Sequence, residues 1–193
     1  MRPNYKVKLG ISNKHIHLSQ ADLEALFGEG AELTFKKALV QPGQFAAEEQ
    51  VEIVGAKGSA KVRVLGPVRK ATQVELSMTD ARTLGIKAPI RESGKLEGTP
   101  GLKIIGPKGE VELQEGVIVA KRHVHLSAAQ AEEAQAVNGE IVKVVIGEGE
   151  RKLVFDDVVC RCGDGHEAEM HIDTDEANAA CAANDQIVEI IFA

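Results

Sequence analysis

Tryptophan is absent from this 193-residue chain, tyrosine occurs once, and aromatic residues make up only 3% of it. With hydrophobic residues at 44%, the core must be aliphatic, built from valine, isoleucine, leucine and alanine. No apolar run approaches the ~20 residues that a membrane-spanning helix requires, so no membrane partner is expected. The opening residues Met1-Arg2-Pro3-Asn4-Tyr5-Lys6 hold no signal-peptide h-region. A strand begins at once, so no N-terminal targeting extension is expected. Cysteine is scarce too: Cys160, Cys162 and Cys181 are an odd set, which suits free thiols in a reducing cytoplasm. Basic residues are outnumbered, 23 against 29 acidic, for a net charge of −6. That balance argues against nucleic acid as a partner and still allows a local basic pocket for a phosphorylated ligand.

What is present is a doubled motif. Lys14-His15-Ile16-His17-Leu18-Ser19 recurs 108 residues later as Arg122-His123-Val124-His125-Leu126-Ser127, and the two copies hold 4 of the 6 histidines. The β-branched residue in the middle and the apolar flanks predict a strand for each copy. Side chains at i and i+2 of a strand share a face. Each copy therefore presents two imidazoles on one side, a bidentate metal clamp, and an aliphatic residue to the core on the other.

The pattern predicts a strand over 7–18, a helix over 20–27 capped by Ser19, a strand over 31–40 and a hairpin of 49–55 with 59–65. A short helix capped by Thr79-Asp80 follows and ends at Gly85. Residues 89–116 form a Gly/Pro-rich connection plus a hairpin of 102–106 with 110–114. The second histidine strand spans 117–126, and the Ser127-x-x-Gln130 capping box starts a helix over 128–136. Strands at 141–147, 151–156 and 158–162, an acidic cap with an Ala-rich helix, and a strand over 186–192 complete the chain. The order histidine strand, capped helix, hairpins, capped helix occurs twice, which marks a domain-scale duplication. The expected fold is mainly β: an internally duplicated pair of small antiparallel β-barrel domains with short capped helices, 1–88 and 117–193.

Aligning Glu75-Leu76-Ser77 with His171-Ile172-Asp173 brings the two helix starts into step and makes Glu75 and His171 equivalent. Each half then offers His-x-His plus one more metal-competent side chain. Three protein ligands leave a coordination position open, the pattern of a catalytic zinc site, and six ligands suggest two metals. The plain alternatives are a solvated Glu75, an ion-paired His171 among helix-capping acids, and core or turn roles for Cys160 and Cys162. His166, in a turn, matches nothing in the first half and is left out of the set. Arg69, after the Gly66-Pro67 break, is suited to gripping phosphate or carboxylate with its planar fork. Lys57, Lys61 and Lys70 are candidates for the phosphates of a ligand by charge alone, with a solvated face as the plain alternative, so the cofactor-binding residues stay unknown.

These residues resemble the phosphate acyltransferases of the propanediol-utilisation type, the PduL family. The likeness is carried by residues 11–19, 41–49, 66–69, 73–75, 98–101, 122–125 and 170–178 and covers nearly the whole chain. It implies two β-barrel domains and a two-zinc site with His15, His17, Glu75, His123, His125 and His171 as ligands and Arg69 holding phosphate. It implies exchange of a short acyl group between coenzyme A and inorganic phosphate, and the residues are consistent with direct transfer, with no Ser or Cys nucleophile required. Lys14 stands where the family motif carries arginine. Members housed in microcompartments carry an N-terminal extension that this chain lacks, so a cytoplasmic enzyme is expected. A homodimer is left open. The alternatives from other classes are a dinuclear metallohydrolase acting on thioesters or phosphoesters, and a cupin-like metal sensor. The first normally shows His-x-His-x-Asp-His, whereas Leu-Ser follows both pairs here. The second uses a shorter His-x-His…Glu spacing than the 58 residues between His17 and Glu75.

Overall fold

Short runs rich in valine and isoleucine pair into two separate sheets, each with its own aliphatic core. A computed structural model describes residues 2–192. Fifteen strands occur among them. In chain order they are β1 (Tyr5–Ser12), β2 (His15–His17), β3 (Phe35–Ala38), β4 (Phe45–Val54), β5 (Ser59–Gly66), β6 (Gln73–Glu75), β7 (Ile90–Arg91) and β8 (Leu102–Ile105). The remainder are β9 (Glu110–Leu113), β10 (Val117–Ala120), β11 (His123–Leu126), β12 (Ile141–Ile146), β13 (Leu153–Cys162), β14 (Glu169–Asp173) and β15 (Ile187–Ile191). Four short helices interrupt them: α1 (Gln20–Phe27), α2 (Met78–Leu84), α3 (Ala128–Ala134) and α4 (Thr174–Ala180). The mainly β class with short capped helices is as the sequence indicates.

The chain falls into two compact units. One comprises the chain up to Ser12, Val40–Pro42 and the chain from Lys121 onward; the other comprises Asn13–Leu39 and Gly43–Ala120. In the first, a six-stranded sheet closes into a barrel in the order β1-β14-β11-β13-β12-β15. Leu9, Val124, Leu126, Val144, Ile146, Val158 and Met170 are among the side chains that fill it. In the second, a nine-stranded sheet runs β7-β10-β6-β2-β5-β4-β8-β9, with β3 paired to β4. Its core includes Ile16, Leu18, Ile53, Val64, Val74 and Ile104. Only the first sheet closes. Pairing is mixed and not purely antiparallel: β1 with β14, β11 with β13, β2 with β5 and β10 with β6 all run parallel.

Three local expectations are corrected. The strands predicted over 7–18 and 117–126 are each two strands, broken at Asn13-Lys14 and at Lys121-Arg122. β1 pairs with β14 and β15 while β2 pairs with β5 and β6. Likewise β10 pairs with β6 and β7 while β11 pairs with β13 and β14. Alternation along the chain cannot reveal such a break, because both sides of it are strands. Helix α2 is capped by Ser77, whose hydroxyl accepts from the Asp80 amide, and not by Thr79-Asp80. The segments 151–156 and 158–162 form one strand, β13, in which Asp157 takes a left-handed conformation (φ 58°) beside a register shift.

Candidate metal centres and phosphate site

Each histidine strand is short because a helix begins directly after it. Ser19 and Ser127, two residues past the second histidine of each pair, accept hydrogen bonds from the Asp22 and Gln130 amides and cap α1 and α3. The third members follow the same rule: Ser77 caps α2 two residues after Glu75, and Asp173 caps α4 two residues after His171. A side-chain cap contributes on the order of 1 kcal/mol to its helix. Here it also fixes where each ligand-bearing strand ends.

In the open-sheet unit, β2 lies antiparallel to β6 with His15 opposite Glu75 and His17 opposite Gln73. His15 Nε2 lies 3.5 Å from one Glu75 carboxylate oxygen and His17 Nε2 3.9 Å from the other. The Nδ1 atoms point away from the cluster: His15 Nδ1 donates to the Asn13 carbonyl at 2.7 Å and His17 Nδ1 to the Leu65 carbonyl at 3.1 Å. This arrangement fixes both rings with Nε2 lone pairs aimed inward, the support that metal-bound imidazoles require. The strand break at Asn13-Lys14 has a use here, since Asn13 lies outside the strand pairing and its carbonyl serves the His15 ring. Burial, reinforced by His15 and Arg69, pushes His17 down to about 3, so it stays neutral. Burial also opposes charge on His15, yet the adjacent Glu75 carboxylate outweighs it and raises the His15 pKa. Burial works to raise the Glu75 carboxyl, but His15, His17 and Arg69 hold it well below the usual carboxylate range.

The barrel unit repeats the arrangement. His123 faces His171 and His125 faces Glu169 across β11 and β14. His123 and His125 approach Nε2 to Nε2 at 3.1 Å, and His123 Nδ1 donates to the Lys121 carbonyl at 2.8 Å, again at a break between strands. His171 packs its ring on both, centroids 5.0 Å away. Burial, with His123, His171 and His166 around it, drives His125 far below the ordinary histidine range. Its Nδ1 is buried without a hydrogen-bond partner. Among the described residues, these are the two groups of three or more His, Cys, Asp or Glu whose ligand atoms lie within 4.8 Å of one another: His15, His17, Glu75 and His123, His125, His171. The six residues named from the sequence are thus brought together as two sets of three. Nitrogen and carboxylate donors of this kind suit zinc.

Arg69 lies at the first cluster. Its backbone amide donates to the Leu18 carbonyl, next to His17, and its guanidinium adds to the lowering of His17 and Glu75 and works against the rise of His15. Arg69 Nη1 donates to Ser93 Oγ at 3.0 Å, and Gln73 Nε2 donates to the same hydroxyl at 2.8 Å and to Glu75 at 2.6 Å. Ser93, Gln73, Glu169 and Gln41 were not legible as site residues, because nothing in their spacing distinguishes them from ordinary polar positions. His166 packs its ring 4.5 Å from that of His125; the internal alignment passed over it because it sits in a turn with no counterpart. Cys160 is fully buried and its thiol is pushed up to about 12 by burial, which leaves it an inert core residue. Cys160 and Cys162 belong to neither cluster. Lys57, Lys61 and Lys70 are solvent-exposed.

A family model described as phosphate propanoyltransferase matches residues 8–183. A phosphate propanoyltransferase of Thermotoga maritima is 53% identical over 192 residues, 99% of this chain and 91% of that protein. One of Rhodopseudomonas palustris is 54% identical over 96% of this chain and 82% of its own length. One of Salmonella typhimurium is 54% identical over 92% of this chain and 85% of its own.

Proposed function

The chain belongs to the phosphate propanoyltransferase family, and from that premise we propose that it exchanges a short acyl group between coenzyme A and inorganic phosphate by direct transfer. The observation that carries the proposal is the pairing of two built ligand sets with an arginine held at one of them. A phosphate oxygen forms a bond to the thioester carbonyl carbon as the carbon–sulfur bond breaks, giving acyl phosphate and the coenzyme A thiolate, which takes up a proton. His15, His17 and Glu75 would hold one zinc ion and His123, His125 and His171 a second. Bound zinc supplies Lewis acidity toward the carbonyl and toward the developing thiolate or phosphate charge.

The chain's own groups do the positioning. Arg69 grips phosphate with two parallel N–H donors and is kept in place by its backbone bond to Leu18 and its side-chain bond to Ser93. Holding phosphate oriented against the thioester converts a two-body encounter into an effectively intramolecular one. Neutral His17 keeps its nitrogen lone pair available for a metal. The Cys160 thiol, pushed up to about 12 by burial, is unsuited to forming an acyl-enzyme at neutral pH.

The decisive assay follows CoA release from propanoyl-CoA and acetyl-CoA with and without phosphate, before and after a zinc chelator. Phosphate-dependent acyl-phosphate formation that the chelator abolishes and zinc restores supports the reading. Chelator-sensitive CoA release that ignores phosphate would replace it with a thioester hydrolase. No turnover by a zinc-loaded chain would leave only a metal-binding protein.

A further inference from the structure

Between the two clusters the third ligand changes from a carboxylate, Glu75, to an imidazole, His171, and a neighbour changes with it. The position two residues before the third ligand is Gln73 in the open sheet and Glu169 in the barrel. Both stand opposite the second histidine of their pair, His17 and His125. Gln73 offers an amide N–H to the Glu75 carboxylate at 2.6 Å. Glu169 accepts at 2.6 Å from the Nε2 of His171. A carboxylate ligand is steadied by a donor and an imidazole ligand by an acceptor, so ligand and supporter have switched together.

The barrel makes room for this pair. Glu169 is only 8% exposed. Gln41 Nε2 donates to it at 3.1 Å and to the Glu167 carbonyl at 3.0 Å, and Gln41 Oε1 accepts from the Glu167 amide at 3.2 Å. Gly10 on β1 lies opposite His171. A Cβ there would meet Glu169 Oε1 at 2.7 Å and His171 Cδ2 at 3.2 Å. The corresponding place opposite Glu75 is taken by a full isoleucine, Ile118 on β10. Gly10 has no positive φ, so its lack of a side chain serves space and not backbone freedom. With Nε2 given to Glu169, Nδ1 is the ring nitrogen of His171 left to offer a lone pair.

We propose that Glu169 is a positioning residue that accepts the Nε2–H of His171, fixes that tautomer and presents Nδ1 as the metal ligand, with Gln41 and the missing side chain of Gly10 holding Glu169 in place. At His15, His17 and His123 the arrangement is the opposite, with Nδ1–H tied to a backbone carbonyl and Nε2 facing inward. The proposal rests on reading His123, His125 and His171 as a metal cluster. It adds a ligand atom and a supporting carboxylate to that reading.

The test has two arms on the full-length chain. Long-range proton–nitrogen NMR, with His171 assigned from the peak lost in His171→Gln, should show the proton on Nε2 before zinc is added and zinc on Nδ1 afterwards. A proton on Nδ1, or zinc on Nε2, overturns the proposal. In the second arm, zinc is titrated against a competing chelator. Glu169→Ala and Gly10→Ala should each weaken one of the two sites by about 10–100-fold and leave the other unchanged, while Glu169→Gln, which keeps an acceptor oxygen, should recover part of the loss. Wild-type affinity at both sites in Glu169→Ala overturns the positioning role. If the unmutated chain binds no second zinc at all, the cluster reading itself fails, a result separable from the first. Should Gly10→Ala not fold, the tautomer measurement on the unmutated chain still decides.

Discussion

Replacing Arg69 tests whether it binds phosphate independently of the two proposed metal centres. The side chain is partly buried, beside His15, His17 and Glu75, and is tied to Ser93 at 3.0 Å. Exposed ion pairs contribute roughly 0–1 kcal/mol, whereas hydrogen bonds to charged groups in sheltered sites contribute about 1.5–3 kcal/mol. At about 1.4 kcal/mol per factor of ten, Arg69→Ala should raise the KM for phosphate about 10- to 150-fold. Arg69→Lys restores the charge without the fork and should fall between. The KM for acyl-CoA should move little, and zinc content should stay at the wild-type level, because Arg69 belongs to neither ligand set. Removing it also removes a positive charge that opposes protonation of His15 and His17, so zinc should compete no better against protons than before, or slightly worse. The assay is initial-rate kinetics with phosphate varied at saturating propanoyl-CoA, together with metal analysis of the same preparations. An unchanged phosphate KM in Arg69→Ala with zinc intact refutes the assignment.

Three further outcomes follow from the geometry. Replacing Cys160, Cys162 and Cys181 by serine, singly, should leave acyl transfer within about threefold of wild type when zinc is retained, since direct transfer uses no thiol; a single replacement that abolishes transfer with zinc bound would establish a covalent route. Gly101→Ala places a Cβ 1.7 Å from the Leu113 carbonyl oxygen in the β8–β9 hairpin, so thermal melting should show a loss of about 3 kcal/mol or more; a Tm within a degree or two of wild type would contradict that packing. Acidification should destabilise the metal-free chain. His17 is held at about 3 when folded and titrates near the ordinary 6.5 when unfolded, so the unfolded state binds the extra proton. Stability is then full above pH 6.5 and falls between pH 6.5 and 3, with a limiting slope of about 1.4 kcal/mol per pH unit from this group. Burial lowers His125 in the same sense, while raised His15 acts oppositely. Urea denaturation of the wild type and of His17→Gln at pH 7, 6 and 5 reads this group's share, and the same pH dependence in both would show that His17 is not buried neutral.

How much of this was legible depended on the range of the interaction that fixes each feature. The doubled His-x-His, the Ser127 capping box and the hairpins are local patterns, and alternation or cap chemistry specifies them within a few residues. Glu75 and His171 lie far from their partners in sequence, yet the repeat exposed them, because aligned helix starts place equivalent residues without knowledge of the sheet. Strand partnership had no such signal. Nothing in Tyr5–Ser12 states that it pairs with β14 and β15, and the adjoining β2 with β5 and β6; a strand's own sequence sets its faces and not its neighbours. The same limit hid Glu169 and Gln41. Glu169 read as one acid in an acidic stretch, and only the register that sets it opposite His125, with Gln41 reaching it from 128 residues away, turns it into part of a site. Gly10 shows the converse. It read as one more glycine among 19, and its meaning lies in the carboxylate that a Cβ would displace. Clustered residues that recur by duplication are therefore readable from a single chain, whereas the groups packed beside them are set by pairings the chain does not announce. The asymmetry between Gln73 and Glu169 is where the two repeats diverge most informatively, since it tracks the change from Glu75 to His171.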